Sequence, residues 1–92
     1  MKVIDFRHVP NGTLVTRSAH WREQHNVKRH ARHQLGMVFG LKPVPNSRRR
    51  TIVTWPVVLW EGVTWPEETH PGNVRFFRPE HIAQYTATIE TD

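Results

Sequence analysis

The chain has 92 residues, with 13 Lys+Arg, 8 Asp+Glu, 7 His and no Cys, for a net charge of +5. That length holds a single domain, 1–92, with one small core. The absence of Cys excludes a disulfide framework and any thiolate zinc site. No apolar run approaches the roughly 18 residues that a spanning helix needs, and Met1–Val9 lacks the apolar core of a signal peptide, so the expectation is a cytoplasmic protein with no membrane partner.

The charge is unevenly placed. Residues 1–50 carry 11 Lys/Arg against Asp5 and Glu23, a net +9, and residues 51–92 carry Arg75 and Arg78 against six acids, a net −4. Five of the seven His also lie in the first half. Such asymmetry suggests either a basic surface facing a polyanion or an acidic half that folds against the basic half and cancels it.

In chain order, Lys2–Val9 and Thr13–Ser18 are rich in β-formers and flank Pro10-Asn11-Gly12, which predicts a hairpin. Ala19–Leu35 has no Pro or Gly and few β-branched residues. With Ser18 as cap and Gly36 as stop, it reads as a basic helix over 19–35. Met37–Leu41 predicts a short strand broken at Gly40. Lys42–Arg50 (KPVPNSRRR) reads as a loop, because Pro43 and Pro45 lack donors.

Thr51–Trp65 is the clearest β region. Val53-Thr54-Trp55-Pro56 recurs as Val63-Thr64-Trp65-Pro66, which predicts two strands of one meander turning at Glu61-Gly62. Pro56 marks an edge, bulge or corner. Glu67–Asn73 is turn chemistry, and Val74–Phe77 predicts a last strong strand. Arg78–Ala83 reads as one helical turn, and Tyr85–Asp92 as either a final strand or, over 86–92, a flexible tail. The sum is a mainly β chain with one helix. It closes most economically as a small SH3-like β-barrel with a basic helical insertion, since closure removes sheet edges.

Over residues 51–84 the chain resembles the plasmid-borne type II dihydrofolate reductase family. The carriers are Ile52-Val53-x-Trp55, Glu61-Gly62 and His70-Pro71-Gly72-x-Val74. Upstream, Gly12-x-x-Val15-x-Arg17 (within 12–17) is similar to that family's first barrel strand and its basic residue. The resemblance implies an SH3-like barrel, a homo-oligomer around a shared pore, NADPH as cofactor and a pterin as substrate. It implies cofactor contacts from Arg17 and from the strand Val74, Arg75, Phe76 and Phe77. Where the family has Val-Gln-Ile-Tyr, this chain keeps only the Val, so the resemblance speaks for the barrel more than for the reaction.

No catalytic group stands out. There is no Cys nucleophile, no Gly-x-Ser-x-Gly and no Gly-rich phosphate loop. Glu67 and Glu68 beside His70 offer acid/base types in one turn, but such a trio is commonly turn chemistry. His30-x-x-His33 has metal-chelating spacing on a helix, but interleaved Arg and Lys oppose a dication and Glu23 is the only nearby acid. No metal or resident cofactor is expected. The leading expectation is a non-enzymatic binding module of the kind phages and plasmids carry as accessory proteins. Its basic face, Arg22, Lys28, Arg29, Arg32, Arg48, Arg49 and Arg50, would engage nucleic acid or the acidic surface of a partner protein. The runner-up is the reductase-like homo-oligomer.

Overall fold

The computed structural model describes residues 4–78. They form one antiparallel sheet of five strands: β1 (Leu14–Arg17), β2 (Leu35–Asn46), β3 (Thr51–Trp60), β4 (Glu67–Glu68) and β5 (Val74–Phe76). The strand order is β4-β3-β2-β1-β5, so the last strand returns to the side of the first. The sheet is open at β4 and β5, and the closure expected from the sequence is not seen. One short helix, α1 (Ala19–Gln24), and two 3₁₀ turns, Phe6–His8 and Pro71–Asn73, complete the described chain. None of the described helices is long and apolar enough to cross a membrane. The expected helical turn after Arg78 and the tail 86–92 lie outside the described residues.

Packing begins with alternation. On β3, Pro56, Val58 and Trp60 are buried and point to one face, as period-2 side chains must. Val38 and Gly36 of β2 stand opposite Val58 and Trp60 on that face. Val15, Val74 and Phe6 complete the core. Gly36 is required by this packing rather than by a helix end. A Cβ there would lie 2.6 Å from Val58 Cγ1 and 2.7 Å from Trp60 Cε3.

The expected first hairpin does not form. Asp5 accepts from the Arg7 N–H at 3.1 Å and caps a 3₁₀ turn, which drives Phe6 into the core. Asn11-Gly12 does turn, with Gly12 at φ 91, but β1 then pairs with β2 and β5. The helix is also shorter than 19–35. Ser18 caps its start, accepting from Trp21 N–H at 3.2 Å. Asn26, left-handed at φ 55, ends it. The Asn26 N–H bonds to Glu23 O at 3.2 Å and the Val27 N–H to Arg22 O at 2.9 Å, the two bonds of a Schellman stop.

The largest departure is β2. It runs unbroken through Gly40, Pro43 and Pro45, pairing with β3 as far as Asn46↔Thr51. The prolines fit because of their side of the ladder. Pro56 O accepts from Thr69 N–H at 2.9 Å, so even-numbered β3 residues turn their backbone outward. Their partners Leu41, Pro43 and Pro45 therefore also face outward, where β2 needs no donor. Beyond Val38 no described strand pairs with that edge, and two prolines blunt it against strand addition. A bulge at Phe39, between Val38 and Gly40, absorbs one extra residue, so that Leu41 follows Val38 on the face that carries Pro56 and Val58.

The second copy of the Val-Thr-Trp-Pro repeat is not a strand. Gly62, at φ 82, turns the chain, and Val63–Pro66 stays exposed, with Trp65 78% accessible. The β2–β3 ribbon dominates the shape, and the long axis is 49 Å against 25 and 23 Å for the others.

Gly36→Ala is expected to destabilise the fold by about 1–3 kcal/mol through overpacking against Val58 and Trp60. A urea midpoint matching the parent's would contradict that close approach. The Asp5 carboxyl, held by the side chain and then the backbone of Arg7, titrates at about 2 rather than 3.8. Because the folded value is depressed, the cap contributes above the ordinary carboxylate range and is lost as pH falls through about 2. An NMR titration should show this midpoint, and Arg7→Ala should return it toward 3.8.

Candidate functional site

The basic residues sort into those the fold consumes and those it leaves outside. Arg17 is consumed most completely. Its guanidinium lies 3.8 Å over the Trp60 ring and 4.3 Å over Trp21. Its Nε donates to Gln34 Oε1 at 3.0 Å, and Glu67 Oε2 is 3.7 Å from its Nη2. The side chain is 8% exposed. Burial pushes the guanidinium's pKa below its usual value, and the Glu67 carboxylate works against that shift. The Arg17 expected to contact a cofactor is thus enclosed by two indoles.

Arg22 is likewise internal. Its Nη2 donates to Ala31 O at 2.8 Å and Lys28 O at 3.2 Å, and its Nη1 reaches Arg32 O at 3.5 Å. One planar fork thereby organises residues 28–32, which have no ladder of their own. Arg32 forms a two-oxygen pair with Glu61, both bonds 3.0 Å. Lys28, Arg29 and His30 remain exposed on this loop. Arg29 also lines a cleft of about 640 Å³ with Arg22, Glu23, His33 and Arg75.

The other basic run stands at the far end of the ribbon. Asn46 Oδ1 accepts from the Arg48 N–H at 3.2 Å, which starts the turn between β2 and β3. Arg50 closes it in the left-handed region at φ 50. Arg48, Arg49 and Arg50 are all exposed, and no hydrogen bond or ion pair engages their side chains among the described residues. The ladder from Gly36↔Trp60 to Asn46↔Thr51 separates this turn from the Lys28–His30 loop. At about 3.3 Å per residue the gap is about 30 Å. The single basic face read from the sequence is therefore two clusters at opposite ends of the ribbon.

The remaining candidates have local partners. Glu67 faces Arg17, and Glu68 Oε1 holds Lys42 Nζ at 2.6 Å. His70 Nδ1 accepts from Gly72 N–H at 2.9 Å, and its ring meets Trp55 edge-on at 5.3 Å. His30 and His33 no longer share a helix, and no group of three metal-ligating side chains is gathered among the described residues. On β5, Val74 is buried, Arg75 Nη2 lies 3.4 Å from His33 Nε2, and Phe76 rests near Phe6 with ring centres 6.3 Å apart. Phe77 continues past the strand, its N–H bonded to Leu14 O at 3.1 Å.

Sequence reasoning missed the two structural arginines. The only signal was spacing: Trp21 follows Arg17 by four residues, and Asn26 follows Arg22 by four. Arg22→Ala should cost about 1–3 kcal/mol, since it strips the charged donors from the Lys28, Ala31 and Arg32 carbonyls. Arg22→Lys should recover little, because one ammonium cannot span the set. Denaturation midpoints, with faster amide exchange at Ala31, would check this; a neutral Arg22→Ala would refute the clamp. No family model, curated protein or solved structure matches this chain.

Proposed function

We propose that this chain is a non-enzymatic nucleic-acid-binding module, and that the Arg48–Arg50 turn at the end of the β2–β3 ribbon makes the principal contact. The observation that carries the reading is the state of those three side chains. They are consecutive, exposed and unengaged among the described residues, while Arg17, Arg22, Arg32 and Lys42 are held by the fold. Three adjacent positive charges with no internal counter-charge suit a ligand bearing closely spaced phosphates. The backbone adds support. A left-handed arginine is disfavoured by about 1–2 kcal/mol where glycine would sit freely, so the turn keeps a charge at the expense of strain.

The strand order, with β5 returned beside β1 directly after a 3₁₀ turn, supports reading the domain as an open relative of the SH3-like barrel. In that arrangement the ribbon is an elongated hairpin carrying the basic turn away from the core. Lys28 and Arg29, on the exposed loop, supply a secondary electrostatic contribution.

Affinity for nucleic acid should fall steeply with salt. Replacing Arg48, Arg49 and Arg50 by Ala should reduce the slope of log K against log salt by about 2–3, near 0.9 per lost phosphate contact. Lys28→Ala with Arg29→Ala should reduce it by less. Arg50→Gly is the sharpest variant, because it relieves the strained turn while removing a charge. It should weaken binding with no loss of stability. Binding indifferent to salt, or a triple variant with the parent's slope, would sink the proposal.

A further inference from the structure

We infer that the ribbon end enters the major groove of double-helical DNA, and that the Arg48–Arg50 turn touches base edges as well as phosphates. The inference rests on the nucleic-acid reading above and names the form of nucleic acid.

The argument is one of shape. β4 pairs with β3 only at Val57 and Val58, and β1 pairs with β2 only as far as Met37. Among the described residues the sheet outward from Lys42↔Trp55 is therefore two strands wide. The first 3₁₀ turn flanks β3 across a small cavity bounded by Ile4, Phe6, Ile52 and Thr54. The rungs from Val44↔Val53 outward, with the turn, extend about 10 Å further at 3.3 Å per residue. Two strands about 4.8 Å apart, with side chains on both faces, make a blade roughly 10 Å thick. The major groove of B-DNA is about 12 Å wide and 8.5 Å deep, and it admits a two-stranded ribbon. The major groove of an RNA duplex is deep and too narrow for side chains to read. A single strand offers no groove.

The chemistry of the blade agrees with its shape. Its outermost residues are arginines, whose forks match O6 and N7 of guanine. Just behind them, Pro45 stands opposite Ile52 on one face of the ribbon. Ile52 is 69% exposed, an unusual amount for an aliphatic residue within a strand. That pair suits contact with the 5-methyl groups of thymine, which line the same groove. The blunted β2 edge suits a ribbon that stays two strands wide.

Fluorescence anisotropy with the full chain gives the test. The probes are a 20-base-pair DNA duplex of mixed sequence, an RNA duplex of the same sequence and one DNA strand alone. The DNA duplex should bind at least about tenfold more tightly than either of the others. Replacing guanine with 7-deazaguanine, which removes only the N7 acceptor, should weaken the parent about fivefold or more. It should leave the Arg48/Arg49/Arg50→Ala variant unaffected. No hydrogen bond or ion pair holds these side chains among the described residues, so circular dichroism should show that variant folded. Equal affinity for the three probes would overturn the groove inference and leave the nucleic-acid reading standing. Insensitivity of the parent to 7-deazaguanine would overturn it in the same way. No binding to any probe at 50 mM salt would overturn both.

Discussion

Arg17 between Trp21 and Trp60 is the contact on which the arrangement of elements depends. The cation sits on β1, one indole on α1 and the other at the end of β3. Gln34, bonded to its Nε, leads into β2, and Glu67 belongs to β4. A single side chain thus touches or approaches every element except β5 and the 3₁₀ turns. Cation–π contacts strengthen when water is excluded, reaching about 2 kcal/mol each. A buried charge is otherwise costly, so the indoles, the amide and the carboxylate must all be present for it to stay. The neighbouring bonds extend the same logic. Gln34 Nε2 donates to Glu61 O, and Trp60 Nε1 donates to Thr69 Oγ1. Ser18, next to Arg17, donates to Gly72 O and so ties the start of α1 to the last 3₁₀ turn.

The core around this contact is small. Among the described residues its hydrophobic cluster is Phe6, Val15, Val38, Val58, Trp60 and Val74, and polar cross-links share in the organisation. Two arginines, Arg17 and Arg22, belong to that internal organisation. Arg22 does for the 28–32 segment what a ladder does for a strand. The charge that looked like one continuous exposed face is partly internal scaffolding.

What could be read from the sequence followed strict local rules. The Ser18 cap, the turns at Asn11-Gly12 and Glu61-Gly62, the β region from Thr51 and the strand from Val74 all obey short-range sterics, and each is present. Long-range context decided the rest. Pro43 and Pro45 suggested a loop because their missing donors were counted without knowing which way each residue faces. An outward orientation makes the donor unnecessary, and that orientation follows from pairing with β3. Asn26 is a permitted helix stop, but local propensity ranks Gly36 above it. The Val-Thr-Trp-Pro repeat failed because Gly62 sends its second copy into an exposed turn. Of the candidate binding residues, the sequence exposed their charge but not their partners. Arg48–Arg50 were correctly placed before a strand, and their isolation depends on a ribbon that the prolines had hidden.

The bulge at Phe39 has a further consequence. Because Phe39 is supernumerary in the ladder, its loss would leave every other pair of β2 and β3 in place. An insertion or deletion elsewhere in the ribbon would instead exchange its two faces. A bulge also sharpens local twist and bends its strand, so this one residue governs where the ribbon points. In evolutionary terms, a one-codon change at this position is a change of aim: it would swing the arginine turn to a new bearing while the domain beneath it kept its fold.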